Sequence, residues 1–108
     1  MEIVLKINGE DKTFTQSFVS GYCFKKALEL STEEEKKGFD VKILEKEIDF
    51  VCEVFNNQFT RDEFYKGVDA TKLMSEIRRI MGEEILGLPS EDEITDFLTQ
   101  QAENEKGA

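Results

Sequence analysis

Cys23 and Cys52 are the two thiols of the 108-residue chain and its strongest nucleophiles by residue type. A reactive cysteine needs a base or a cationic neighbour that holds it as the thiolate. The sequence contains no histidine, so neither a Cys/His nor a Ser/His dyad can form. Lys25 and Lys26 are the only basic residues close to Cys23, and the separation of the two thiols matches no redox or zinc spacing. Both lie among apolar residues, which reads as two small buried hydrophobes in a reduced protein. Carboxylates are the other reactive groups, but among 24 of them a close pair says nothing about acid–base chemistry. Ser90-Glu91-Asp92-Glu93-Ile94-Thr95-Asp96 has the outline of a calcium loop without its central glycine, and its twelfth position is Gln101 instead of glutamate. The seven glycines are scattered at turns and build no phosphate loop. These residues predict no catalytic group, no metal site and no cofactor, and the chain is not expected to be an enzyme.

Charge narrows the partners. A formal net charge of −10 repels phosphate backbones and anionic lipid, so neither nucleic acid nor a membrane surface is an expected partner. No apolar run approaches the ~18 residues of a membrane span, and no basic-then-apolar leader opens the chain. Residues 1–30 carry four basic and four acidic groups, so the whole net charge lies after them. Residues 83–108 hold eight acids against Lys106. Charge and length together describe an acidic, cytoplasmic interaction domain.

The elements that would position such a surface are legible in the apolar periodicity. Ile3, Leu5 and Ile7 alternate with polar or outward residues, Asn8-Gly9 follows, and a return strand runs from about Lys12 to Phe18. This is the pattern of a β-hairpin, with Phe14 on the face shared by Ile3 and Leu5. An isolated hairpin is marginal in water, so helices must cover that face. Ser20 is placed to cap the first, through Tyr22, Phe24, Ala27, Leu28 and Leu30, with Ser31–Gly38 read as a solvated helix end or loop closed by Gly38. A central helix from Asp40 sets Val41, Leu44, Ile48, Val51 or Cys52 and Phe55 on one stripe, with Glu45, Lys46, Glu47, Asp49 and Glu53 mostly away from it. Thr60-Arg61-Asp62-Glu63 is a capping box, with Phe59 and Phe64 at the staple positions. Gly67 is placed as a left-handed cap, and Asp69 caps a helix with Leu73, Ile77, Ile80 or Met81, and Ile85 inward. A second capping box at Ser90–Glu93 opens a short helix with Ile94, Phe97 and Leu98. The predicted fold is α+β, a hairpin packed on four to five helices. The hairpin-plus-helices domain spans residues 1–88, and a short acidic helix and tail occupy 89–108.

The hairpin, the entry Phe18-Val19-Ser20-Gly21 with Ala27-Leu28-Glu29-Leu30, and the string Phe55-Asn56-Asn57-Gln58-Phe59-Thr60-Arg61-Asp62-Glu63-Phe64-Tyr65-Lys66-Gly67-Val68 resemble one family. It is the tail assembly chaperones of long-tailed bacteriophages, of the type found in phages and prophages of Gram-positive hosts, and the resemblance covers roughly residues 2–86. It implies a non-enzymatic role in the host cytoplasm. Such chaperones coat the long hydrophobic tape measure protein, recruit major tail protein, and leave before the virion is complete. Many are also made in a longer form by a −1 frameshift. A client surface must be apolar and able to be exposed. The candidates are Ile94, Phe97 and Leu98 of the terminal helix, with Phe59 and Tyr65 from the aromatic series. Self-association through the hairpin edge or the apolar helices is also expected, because an unpaired strand edge is a docking template. Two other classes fit the residues alone: an acidic DNA mimic that inhibits a DNA-binding enzyme, and a structural tail adaptor.

Overall fold

A computed structural model describes residues 1–89. The chain opens with the antiparallel strands β1 (Glu2–Ile7) and β2 (Glu10–Thr15). Asn8 (φ 54°) and Gly9 (φ 81°) form a two-residue loop with both φ positive, the type I′ geometry whose twist suits a hairpin. Ile3 pairs directly with Phe14 and Leu5 with Lys12, and Ile3, Leu5 and Phe14 form the buried face. The return strand starts two residues earlier than its apolar pattern and ends at Thr15, where Gln16 turns to donate to the Val54 carbonyl at 3.2 Å. Phe18, expected on the strand face, is therefore 76% exposed.

Four α-helices follow among the described residues, α1 (Gly21–Lys37), α2 (Val41–Val54), α3 (Arg61–Gly67) and α4 (Leu73–Arg78), the last continuing as a π-helical segment over Arg79–Ile85, and α3 packs directly on β1. Ser20 is the residue before α1, but its hydroxyl lies 3.8 Å from the Cys23 sulfur and caps no backbone amide. Gly38 closes α1 at φ 81° and ψ 170°, backbone that only glycine adopts freely. The Asp40 carboxylate accepts from the Ile43 amide at 2.9 Å and starts α2. Two consecutive left-handed asparagines, Asn56 and Asn57, end it. The Asn57 amide donates to Cys52 and the Asn56 amide to Glu53, the bond pair of a Schellman motif with asparagine in place of glycine.

The capping box at α3 forms in both directions, Glu63 N–H to the Thr60 hydroxyl and Thr60 N–H to the Glu63 carboxylate. Gly67 is not a left-handed cap; it is the last residue of α3, and Val68 follows in extended backbone. Its need is steric. A Cβ there would meet Leu5 Cβ and the Lys6 carbonyl oxygen at 3.0 Å, so the missing side chain lets α3 press on the edge of β1. Asp69 does not cap a helix directly. Its carboxylate accepts from the amide and hydroxyl of Thr71 in a local turn, and α4 begins at Leu73.

One core joins these elements. Phe14, Phe55, Phe59 and Phe64 run through it, with Ile3, Leu5, Ile48, Val51, Ile77 and Ile80 closing around them. Ile80 and Met81, both in the π-helical segment, are buried. Among the described residues no helix is long and apolar enough to cross a membrane. The capping box at Ser90 and the terminal helix lie outside the described residues.

Candidate functional site

The position of α1 decides what the molecule shows to a partner. Cys23, Ala27 and Leu30 recur at i, i+4 and i+7 and are buried, which fixes the inner face of the helix. Two ion pairs tie its flanks to α2. Lys26 Nζ lies 2.6 Å from Glu53 Oε2, and that hydrogen bond raises the lysine pKa. Glu33 accepts from Lys46 at 2.7 Å, which holds its carboxyl below the usual range. With the helix locked in this rotation, Phe24 and Leu28 stand one turn apart on the outer side, 45% and 49% exposed. Tyr22 emerges on the opposite flank, and Phe18 stands out from the segment leading into the helix.

The apolar pattern groups Tyr22, Phe24 and Leu28 with Ala27 and Leu30, but the rotation of α1 buries Ala27 and Leu30 and turns the other three outward. Phe24 and Leu28 fall outside the arc of Cys23, Ala27 and Leu30, so the helix pattern could have separated them. A second pair, Phe39 and Val41, flanks the Asp40 cap; Val41, expected on the inward stripe of α2, is 68% exposed. Most of the exposed large apolar side chains of the described residues thus lie along α1 and at its two ends; Val4 and Leu88 are the others.

Of the five residues named from sequence as partner contacts, the structure describes two. Phe59 is buried, with its ring 4.9 Å from Phe14, 5.5 Å from Phe55 and 6.4 Å from Phe64. In this arrangement it is a core aromatic, and a partner reaches it only if the hairpin lifts from α3. Tyr65 is half-buried against the core, and burial raises its hydroxyl pKa, with Glu45 adding to the effect. Ile94, Phe97 and Leu98 lie outside the described residues.

The thiols are buried and unpaired by any disulfide. Burial pushes the Cys52 thiol up to about 11, with the Asp49 carboxylate adding to the shift. It is therefore almost wholly protonated at neutral pH, as a packing residue would be. Arg61 holds α3 against α2 by a two-point contact, Nε to Asp49 Oδ1 at 2.8 Å and Nη2 to Asp49 Oδ2. This contact lowers the Asp49 pKa and raises that of Arg61. The pair is a brace across the surface, with Glu45 3.4 Å from Arg61 Nη1 on the same side.

The described residues thus form a hairpin-and-helix domain of an acidic chain, with apolar side chains turned outward on α1. No curated protein and no solved structure matches the chain. The family described as phage tail chaperone protein matches residues 1–102, nearly the entire sequence. The chain belongs to that family.

Proposed function

We propose that the protein binds the tape measure protein during tail assembly, keeps it soluble, and recruits major tail protein to it. The family is a non-enzymatic kind of protein and its role lies in tail assembly; the identity of the clients is the proposal. The observation that carries it is the exposure of Phe24 and Leu28 on the outer face of α1, on a chain of net charge −10. A long amphipathic client would lay its apolar side on that face, and the charge of each bound domain would keep the complex in solution. The protein would act in the host cytoplasm and be absent from the finished virion. Family membership favours this reading over a DNA mimic, which would use its carboxylates instead of its apolar groups, and over a permanent tail component.

Co-expression tests it. The tape measure protein of the same phage should be insoluble alone and soluble with this chain. Phe24→Asp with Leu28→Asp should return most of it to the pellet, since both side chains are exposed and their replacement leaves the core intact. Equal solubilisation by the wild-type and doubly substituted chains would remove the α1 face from the account.

A further inference from the structure

Glu47 is the only charged residue buried among the described residues, at 3% exposure on the inner side of α2. Its carboxylate receives no hydrogen bond and no ion pair from another described residue. A carboxylate so enclosed has only solvent to bond with, and native proteins normally supply a donor to such a group. No side-chain oxygen or nitrogen among the described residues is sealed away without a partner, so the Glu47 oxygens open on the space beside them. That space is an open groove of about 640 Å³ between α1, α2 and the π-helical segment. Its apolar lining comes from Ile77, Met81, Leu86, Leu88 and Pro89. Leu88 stands 56% exposed at its rim.

Charge selects the occupant. Arg79 is already bound to Glu76 at 2.9 Å and to Glu84 at 3.6 Å. The groups left to face the groove are Glu34, Glu47 and Glu83 against Arg78. The chain's own residues 90–108, which continue from the rim, carry six acidic residues against one lysine and would meet like charge there. An apolar trough with an unpartnered carboxylate in its wall fits the opposite kind of segment.

We propose that this groove binds an amphipathic helix of a protein partner that sets a lysine among its apolar residues, the ammonium on Glu47 and the apolar side chains on Met81, Leu86 and Leu88. This is a second surface, separate from the outer face of α1, and it stands whether or not that face holds a tape measure protein. The ammonium supplies the donors that Glu47 lacks, and an interfacial lysine–carboxylate pair that is shielded from water discriminates strongly against an uncharged isostere.

The test uses the full-length chain and two fluorescein-labelled helical peptides, identical except for lysine or norleucine at the centre of the apolar face. Fluorescence anisotropy should show the lysine peptide binding about tenfold tighter. Glu47→Gln should reduce that preference to less than about twofold, and Leu88→Glu, at an exposed position, should weaken both peptides. Circular dichroism of each variant confirms folding. Equal binding of the two peptides to the wild-type chain overturns the proposal, as does a lysine preference that survives Glu47→Gln. A full chain carrying Ile94→Ser, Phe97→Ser and Leu98→Ser tests self-occupancy. A large gain in peptide affinity there would make the chain's own C-terminal segment the occupant, and would equally overturn the assignment.

Discussion

Replacing Glu47 by glutamine should make the protein more stable, and only at high pH. Burial raises the Glu47 pKa from 4.5 to about 7, with Glu34 reinforcing the shift and Arg78 opposing it. The folded state therefore holds this proton more tightly than the unfolded state does. Linkage then fixes the sign: stability falls as pH rises between about 4.5 and 7, and the penalty is complete above that window. Its size is about 3 kcal/mol at pH 8, since each pKa unit corresponds to about 1.4 kcal/mol. Glutamine keeps the shape of the protonated side chain and does not titrate, so the variant lacks this slope. Urea unfolding at intervals from pH 4.5 to 8.5 gives both stability curves. Asp49, Glu33 and Asp69 have lowered pKa values, so their contribution is lost toward more acid pH and cancels in the difference between the two proteins. The expected difference is near zero at pH 4.5 and about 3 kcal/mol in favour of glutamine at pH 8. Parallel curves, or a variant less stable at pH 8, would refute the claim that a charged Glu47 is held in the interior without a partner.

Other consequences can be checked by simpler means. Gly67→Ala should destabilise the fold by about 1–3 kcal/mol, because the new methyl must push α3 off Leu5 and Lys6; an unchanged urea midpoint would show that α3 yields freely. Cys52 should react with an aromatic disulfide reagent at pH 8 only as fast as the chain opens, because its thiol is buried and its pKa is raised to about 11. Labelling as fast as in the unfolded chain would contradict that environment.

The parts of the fold that followed from the sequence are those whose cause is local. Alternating Ile3, Leu5 and Ile7 before Asn8-Gly9 define strand and turn together, and Thr60 with Glu63 defines a helix start within four residues. The α+β class follows from those elements. Features set by packing were less visible. Glu47 looks like a solvent residue by type, yet Ile43, Glu47 and Val51 form one i, i+4 row, and α2 buries that row because it packs against α1, α3 and α4. Gly67 is glycine because of a strand 60 residues earlier in the chain, contact with Lys6 that no local pattern encodes.

The candidate site was legible in kind and less so in place. Composition pointed to an acidic interaction domain and the family resemblance to an apolar client surface on it, but aromatic residues at helical spacing serve equally as core or as contact. Phe59 is core, while Phe24 and Leu28 are exposed; the difference is the rotation of α1, fixed by Cys23, Ala27, Leu30 and the two ion pairs to α2.

The central claim is that this chain holds a long tail protein through apolar contact. Affinity recovery of the tagged chain from its phage-producing host during assembly, washed in 1 M salt and read by mass spectrometry, tests it most directly. Salt screens ionic contacts and spares apolar ones. The account predicts that the tape measure protein stays bound through the wash. A complex with a DNA-processing enzyme that dissolves in the salt, and no tail protein retained, would contradict it.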